Sequence, residues 1–352
     1  MFDLRFVPIF VCGLIGGIAA YYVGLPMPFM LGGILGSACF VLWYERDGVQ
    51  LPKLSRWVRL VFMSIIGAMI GSRFSPEFLS LLPQFWVSGL ALIPFILLAH
   101  GGNYAIMRGL GRYEKLDAFF ASLPGGIIDS VALAEEAGAD LRIVTAQHFI
   151  RIILVVSSVP LLFLFVQGDV VGSLGGASLA NADYDITDVL LIVVIALVGL
   201  MIGRSTKLPV SHMLGPLLLA LGLSVGGVVT IDLPWWLGHV AQYMVGTALG
   251  AQFSGVSRKL LVRGLRMGLL SGAYMLFLAG AFAAFTVQYV PADFGAMFIS
   301  FAAGGLAEMS LIALSLNFNP IVVALHHLTR ILLTVLIGNT LSRRVFKLVP
   351  EK

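Results

Sequence analysis

Of the 352 residues, 59% are hydrophobic and 11% charged, and the net charge is +4; ordinary soluble domains run at about 45–50% and about 25%. That balance excludes a soluble enzyme, and basic residues scattered between apolar runs exclude the basic face of a soluble nucleic-acid-binding domain. The bilayer is the solvent to reason with.

Apolar runs approach the length of about 20 residues that crosses a hydrocarbon core of about 30 Å. The first spans Phe6 to Tyr22 and the second Pro28 to Trp43; Val189 to Gly203 and others follow through to Ile337. Unpaired backbone groups are too costly in lipid for anything but helices or closed barrels, and no strand-length alternation is visible, so the runs predict an all-α integral membrane fold. The first run follows only Asp3 and Arg5 and lacks an A-x-A cleavage site, so it reads as a mature helix. Cys12 and Cys39 lie inside apolar runs and read as small buried hydrophobes, with no disulfide or metal role.

The chain repeats itself. Gly125-Gly126-Ile127-Ile128-Asp129 matches Gly304-Gly305-Leu306-Ala307-Glu308 in the second half of the sequence. In the same register His148-x-x-Arg151 answers His327-x-x-Arg330, Asp140 answers Asn319, and Gly67-x-x-x-Gly71-x-x-Phe74-Ser75 answers Gly246-x-x-x-Gly250-x-x-Phe253-Ser254. Leu25-Pro26-x-x-x-Met30-Leu31-Gly32 answers Leu208-Pro209-x-x-x-Met213-Leu214-Gly215 in a slightly shifted register, so the first copy carries a longer loop, most simply Glu45–Arg56. The copies are membrane repeat 1 (residues 1–167) and membrane repeat 2 (189–345), joined by a connector (168–188) and followed by a tail (346–352).

Lysine and arginine collect in cytoplasmic loops. In the first copy they sit at Arg46, Lys53, Arg56 and Arg59, then at Arg108, Arg112 and Lys115. The second copy has none in the equivalent loops; its basic loops hold Arg204 and Lys207, then Arg258, Lys259, Arg263 and Arg266. A bias that swaps loops predicts two inverted-topology repeats of about five transmembrane helices, each with a broken or re-entrant Gly-Gly segment. The connector, with Asp169, Asp183, Asp185 and Asp188, reads as exoplasmic; the tail, following Arg343 and Arg344, reads as cytoplasmic. Both termini are then cytoplasmic, in a multi-pass protein of the bacterial inner membrane. Arg73 is the one loop arginine on the wrong side of this scheme.

Ionisable groups at membrane depth are costly and face a cavity or one another. Here they form two matched sets. Gly125 and Gly126, and Gly304 and Gly305, let the backbone leave helical geometry and present free N–H groups at a positive helix end. Asp129 and Glu308 beside them suit a coupling cation, sodium or a proton, because burial raises a carboxylate's pKa towards neutrality. Arg151 and Arg330 have three readings: holding the broken segment through Asp129 and Glu308, clamping a substrate carboxylate, or forming a purely structural ion pair. His148 and His327 are proton relays or hydrogen-bonding spacers. His326 faces Gln147 of the first copy and ranks lower; Glu135 and Glu136 read as a solvated helix end, and His212 as a cap or interface residue. The Gly-x-x-x-Gly pairs argue close helix packing.

In its Gly-Gly-x-x-Asp/Glu, His-x-x-Arg and Leu-Pro-x-x-x-Met-Leu-Gly pairs the chain resembles the AbrB duplication family of bacterial membrane proteins, over nearly its whole length. Members of that family carry discordant labels: ammonia monooxygenase, regulator of gene expression, transporter. A monooxygenase needs a metal or another redox cofactor, and the chain has no thiolate cluster and only dispersed histidines. No Walker motif is present. The reading is a secondary transporter of a small solute, anionic if the arginines clamp it, driven by an ion gradient, without enzymatic activity, catalytic residues or a cofactor. Its partners are the small-molecule solute and the lipid bilayer, with no nucleic acid and with a homo-oligomer left open. The alternative is a membrane sensor or regulator that influences gene expression without transport.

Overall fold

The computed structural model describes residues 6–47, 51, 56–74, 82–167, 185–206, 208, 210–229, 231, 234–256 and 258–346. Among them all regular structure is helical: α1 Val7–Tyr22, α2 Pro28–Tyr44, α3 Arg56–Gly71, α4 Trp86–Gly109, α5 Lys115–Ala121, α6 Ile127–Ala137, α7 Leu141–Gln167, α8 Ile186–Ser205, α9 Ser211–Val225, α10 Trp235–Gly250, α11 Arg258–Thr286, α12 Phe294–Phe301, α13 Leu306–Ser315 and α14 Pro320–Phe346. Among the described residues five stretches are long and apolar enough to cross a membrane: Pro83–Gly109, Leu141–Phe165, Ile186–Ser205, Leu260–Thr286 and Pro320–Phe346. The chain is a multi-pass membrane protein. Asp169, Asp183, Lys53, Lys207 and Pro209 lie outside the described residues, as does the tail from Lys347 on.

Two compact units form. The first takes residues 1–82, 157–255 and 307–321, and the second takes 83–156, 256–306 and 322–352, so each draws on both sequence copies.

The first unit is built on glycine. A Cβ at Gly16 would strike the Gly32 carbonyl, which locks α1 against α2, and one at Gly215 would strike the Gly199 carbonyl, which locks α8 against α9. Both hairpins turn on a non-glycine residue in the left-handed region, Met27 (φ 48°) and Val210 (φ 47°), at equivalent places in the two copies. Each left-handed turn costs about 1–2 kcal/mol. The close helix contacts that follow hold it in place. The copies then interlock: a Cβ at Gly67 or Gly71 of α3 would strike the Met213 or Leu217 carbonyl of α9, and one at Gly246 or Gly250 of α10 would strike the Met30 or Ile34 carbonyl of α2. His212 belongs to this interface and gives its backbone carbonyl to the Ser64 hydroxyl at 2.7 Å.

Loops of the two copies also touch within this unit. The Glu45 carboxylate accepts from Leu51 N (2.8 Å), Ser254 Oγ (2.6 Å) and Gly255 N (2.7 Å). Ser224 Oγ donates to the Ser72 and Phe74 carbonyls at 3.2 and 3.1 Å. Cys39 is exposed, against the expectation of a buried hydrophobe. An apolar run in a membrane helix has a face for lipid as well as a face for protein, and the sequence alone does not say which side a small residue takes.

In the second unit α11 packs against α4 and α12, and α5 packs against α4 and α6. Gly264 and Gly268 of α11 receive Ile150 of α7, and Gly272 approaches Leu154. Phe95, Phe282 and Phe301 pack ring to ring with centroids 5.3–5.5 Å apart. The loop after α4 is tied to α11: Arg263 donates to the Gly111 and Arg112 carbonyls at 2.6 and 3.2 Å and lies 4.2 Å over the Tyr113 ring.

Candidate functional site

Two apolar segments break at matched places of the two copies. The helix α5 ends at Ala121 and α6 starts at Ile127; α12 ends at Phe301 and α13 starts at Leu306. Between two helices the backbone carbonyls have no intrahelical donor and need another partner. At both breaks an arginine donates to them. Arg151 Nη1 donates to the Leu123 carbonyl at 2.7 Å and Nη2 to the Gly125 carbonyl at 3.3 Å. Arg330 Nη1 donates to the Phe301 and Ala302 carbonyls at 3.3 and 2.7 Å and Nη2 to the Gly304 carbonyl at 3.0 Å. Leu123 and Ala302, like Gly125 and Gly304, are equivalent positions of the two copies.

These hydrogen bonds to Arg151 and Arg330 end on carbonyls, none on a described carboxylate. Both arginines are buried, 3% and 1% exposed, and the Nε of each has no hydrogen-bond partner. The two guanidiniums also lie within electrostatic reach of each other.

The paired histidines differ. His148 Nε2 meets the Phe120 carbonyl at 3.0 Å and Nδ1 meets Arg151 Nη2 at 3.1 Å. A carbonyl only accepts and a guanidinium only donates, so Nε2 carries the proton and His148 is neutral. His327 instead turns Nδ1 to the Val323 carbonyl of its own helix at 3.0 Å, and its Nε2 has no hydrogen-bond partner. His326 pairs Nε2 with Ser88 Oγ at 2.8 Å.

Gly126 stands just before α6 in extended backbone, φ −65° and ψ 142°, which any residue adopts. Gly125 is needed for its size, since a Cβ there would lie 2.8 Å from Thr334 Cγ2. Gly304 and Gly305 fill the gap between α12 and α13. Asp129 is in the first turn of α6, with its side chain outside the described residues. Glu308 is 4% exposed in the first turn of α13 and belongs to the first unit, whereas the other described site residues belong to the second. Glu135 and Glu136 are exposed at the far end of α6.

The family model described as Transition state regulatory protein AbrB matches residues 34–346, a span that holds both breaks and both arginines. The chain belongs to the AbrB family. It is 27% identical over 336 residues to the Escherichia coli (strain K12) protein named "Putative regulator AbrB", covering 94% of this chain and 93% of that one. It is 26% identical over 373 residues to the Bacillus subtilis (strain 168) protein named "Uncharacterized protein YhjN", covering 99% and 94%.

One polar residue of this AbrB-family site escaped the sequence comparison. Thr334 is 1% exposed, its hydroxyl has no hydrogen-bond partner, and it lies against Gly125 of the first break. His327, Arg330 and Thr334 stand at i, i+3 and i+7, on one face of α14. That face reaches both breaks, the second through Arg330 and the first through Thr334. The helical spacing was legible; the repeat hid it, because Val155 holds the equivalent position in the first copy.

Proposed function

We propose that this chain is a secondary transporter of a small anionic solute in the bacterial inner membrane, driven by a sodium or proton gradient. The observation that carries the reading is the pair of buried guanidiniums at the two breaks, each holding its break by carbonyls and keeping an Nε–H unspent. Buried polar groups are nearly always hydrogen-bonded, and an unspent donor on a buried cation suits an anion. Asp129 and Glu308, one in the first turn after each break, each offer a carboxylate to a coupling cation in this reading.

The topology proposed with it has two inverted repeats, re-entrant Gly-Gly segments and both termini in the cytoplasm. Three contacts between loops or helix ends support it, because connections that touch share a side of the membrane. Glu45 meets Ser254 and Gly255, and Arg263, near the start of α11, meets Gly111 and Arg112; the three connections involved carry the cytoplasmic charge signature. Ser224, at the end of α9, meets Ser72 and Phe74, on the side assigned as opposite. Single cysteines at Arg112 and Ser72, in a background lacking Cys12 and Cys39, test the scheme with an impermeant thiol reagent. Ser72→Cys reacts in intact cells and Arg112→Cys only in inverted vesicles; labelling of both from one side removes the inversion.

A second reading, a ligand-binding regulator without flux, is favoured by the printed name of the Escherichia coli relative and by the family description. Uptake into vesicles of purified protein decides between the two. Saturable, gradient-dependent uptake of a small anion supports transport, and saturable binding without uptake supports the regulator.

A further inference from the structure

We propose that Thr334 is a direct ligand of the anion, and that together with the Nε–H groups of Arg151 and Arg330 it selects a small carboxylate. The inference rests on the anion-site reading above and adds a residue and a substrate class to it.

Three donor atoms in this part of the second unit have no hydrogen-bond partner at all: the Nε of each guanidinium and the Thr334 hydroxyl oxygen. The terminal nitrogens of both arginines already hold backbone carbonyls, so Nε is the nitrogen of each that nothing else engages. Two Nε–H groups and one O–H reach the two oxygens of a carboxylate and leave further oxygens of phosphate or sulfate unmet.

Arg151 is tied to the Gly125 carbonyl, and Thr334 lies against the same glycine, with Thr334 Oγ1 3.4 Å from where a Cβ would stand. The hydroxyl and the first guanidinium therefore converge on Gly125. The recognition is one-sided, since the residue equivalent to Thr334 is the fully buried Val155, which offers no donor. A duplicated scaffold has acquired a polar anchor on one of its two matched helices, as binding a small asymmetric molecule at a pseudo-symmetric site requires.

The test uses the full-length protein in lipid nanodiscs, titrated with acetate, propionate, sulfate and phosphate and read by the shift in unfolding temperature. Thr334→Val keeps the shape and removes the hydroxyl; Thr334→Ser keeps the hydroxyl. The expected result is carboxylate binding weakened at least tenfold in Thr334→Val and restored to within about threefold in Thr334→Ser, with sulfate and phosphate without effect. Equal carboxylate binding in Thr334→Val and the parent overturns the proposal, as does preference for a tetrahedral anion. Should Thr334→Val fail to fold, Gly125→Ala places a methyl group against the Thr334 side chain and displaces it; unchanged carboxylate affinity in that variant also overturns the proposal. Vesicle uptake separates the two readings: Thr334-dependent binding without flux sinks transport and leaves this inference standing, and flux indifferent to Thr334→Val does the reverse.

Discussion

Arg151 and Arg330, matched residues of the two copies, hold the same two places in their own halves of the chain: Leu123 and Gly125 for the first, Ala302 and Gly304 for the second. A buried arginine in a membrane helix is costly unless something polar receives it. Here the receivers are carbonyls of the residues between two short helices. Each break and each arginine thus satisfies the other, which explains why His-x-x-Arg and Gly-Gly travel together in both copies. The terminal nitrogens serve this structural task, and the Nε of each arginine has no hydrogen-bond partner.

Removal of either guanidinium strands at least two carbonyls, buried or half-buried, at about 1–3 kcal/mol each. Arg151→Met and Arg330→Met should therefore each lower the stability of the purified protein by about 2–6 kcal/mol in denaturation experiments in mild detergent. An Arg330→Met protein as stable as the parent would mean that the break holds itself.

The reciprocal glycine contacts predict equal damage at equivalent sites. Gly67→Leu and Gly246→Leu each force a side chain into a backbone carbonyl, of Met213 and Met30 respectively. Overpacking of this kind costs about 1–3 kcal/mol, and here backbone atoms block relief. Both variants should melt lower by similar amounts, and Gly89→Leu, at a glycine with open space around it, should not. Damage at one site of the pair alone would contradict the interlock.

Much of this was legible in the sequence because duplication repeats local geometry along with residue type. Gly138 and Asn317, at equivalent places in the two copies, both adopt the left-handed conformation that ends a helix (φ 78° and 59°). Asp140 and Asn319 then open the next helices alike, accepting from Arg142 N and Ile321 N at 2.9 and 3.0 Å. The role of the arginines was less legible. Spacing along a helix shows which side chains share a face, but not whether their partner is a carboxylate or a carbonyl, and carbonyls leave no mark in a sequence. Thr334 was hidden for a different reason. A search by self-comparison finds what the copies share, and function at a pseudo-symmetric site lies partly in what they do not.

At the start of α7, just outside the spanning segment, hydrogen bonds from Arg142 hold the Asp140 carboxyl below the usual carboxylate range. A lowered folded-state pKa gives stability that is present above the unfolded value of about 3.9 and is lost as the pH falls through the folded one. Asp140→Asn keeps the cap that Asn319 shows to be sufficient, so it should cost under about 1 kcal/mol at pH 7 and flatten this part of the acid limb. Asp140→Ala should cost about 1 kcal/mol more by losing the cap. Acid melts of the three proteins check the order.

The most direct measurement of the central claim is uptake of radiolabelled small carboxylates into vesicles of the purified protein under an imposed sodium or proton gradient. It is run beside the double variant Arg151→Lys, Arg330→Lys, checked for folding. Lysine keeps the charge and loses the planar fork that holds a break while leaving a donor free. The account predicts saturable, gradient-dependent uptake that falls at least tenfold in the double variant. A folded double variant that transports at the parent's rate, or a parent that binds carboxylates and moves none, would contradict it.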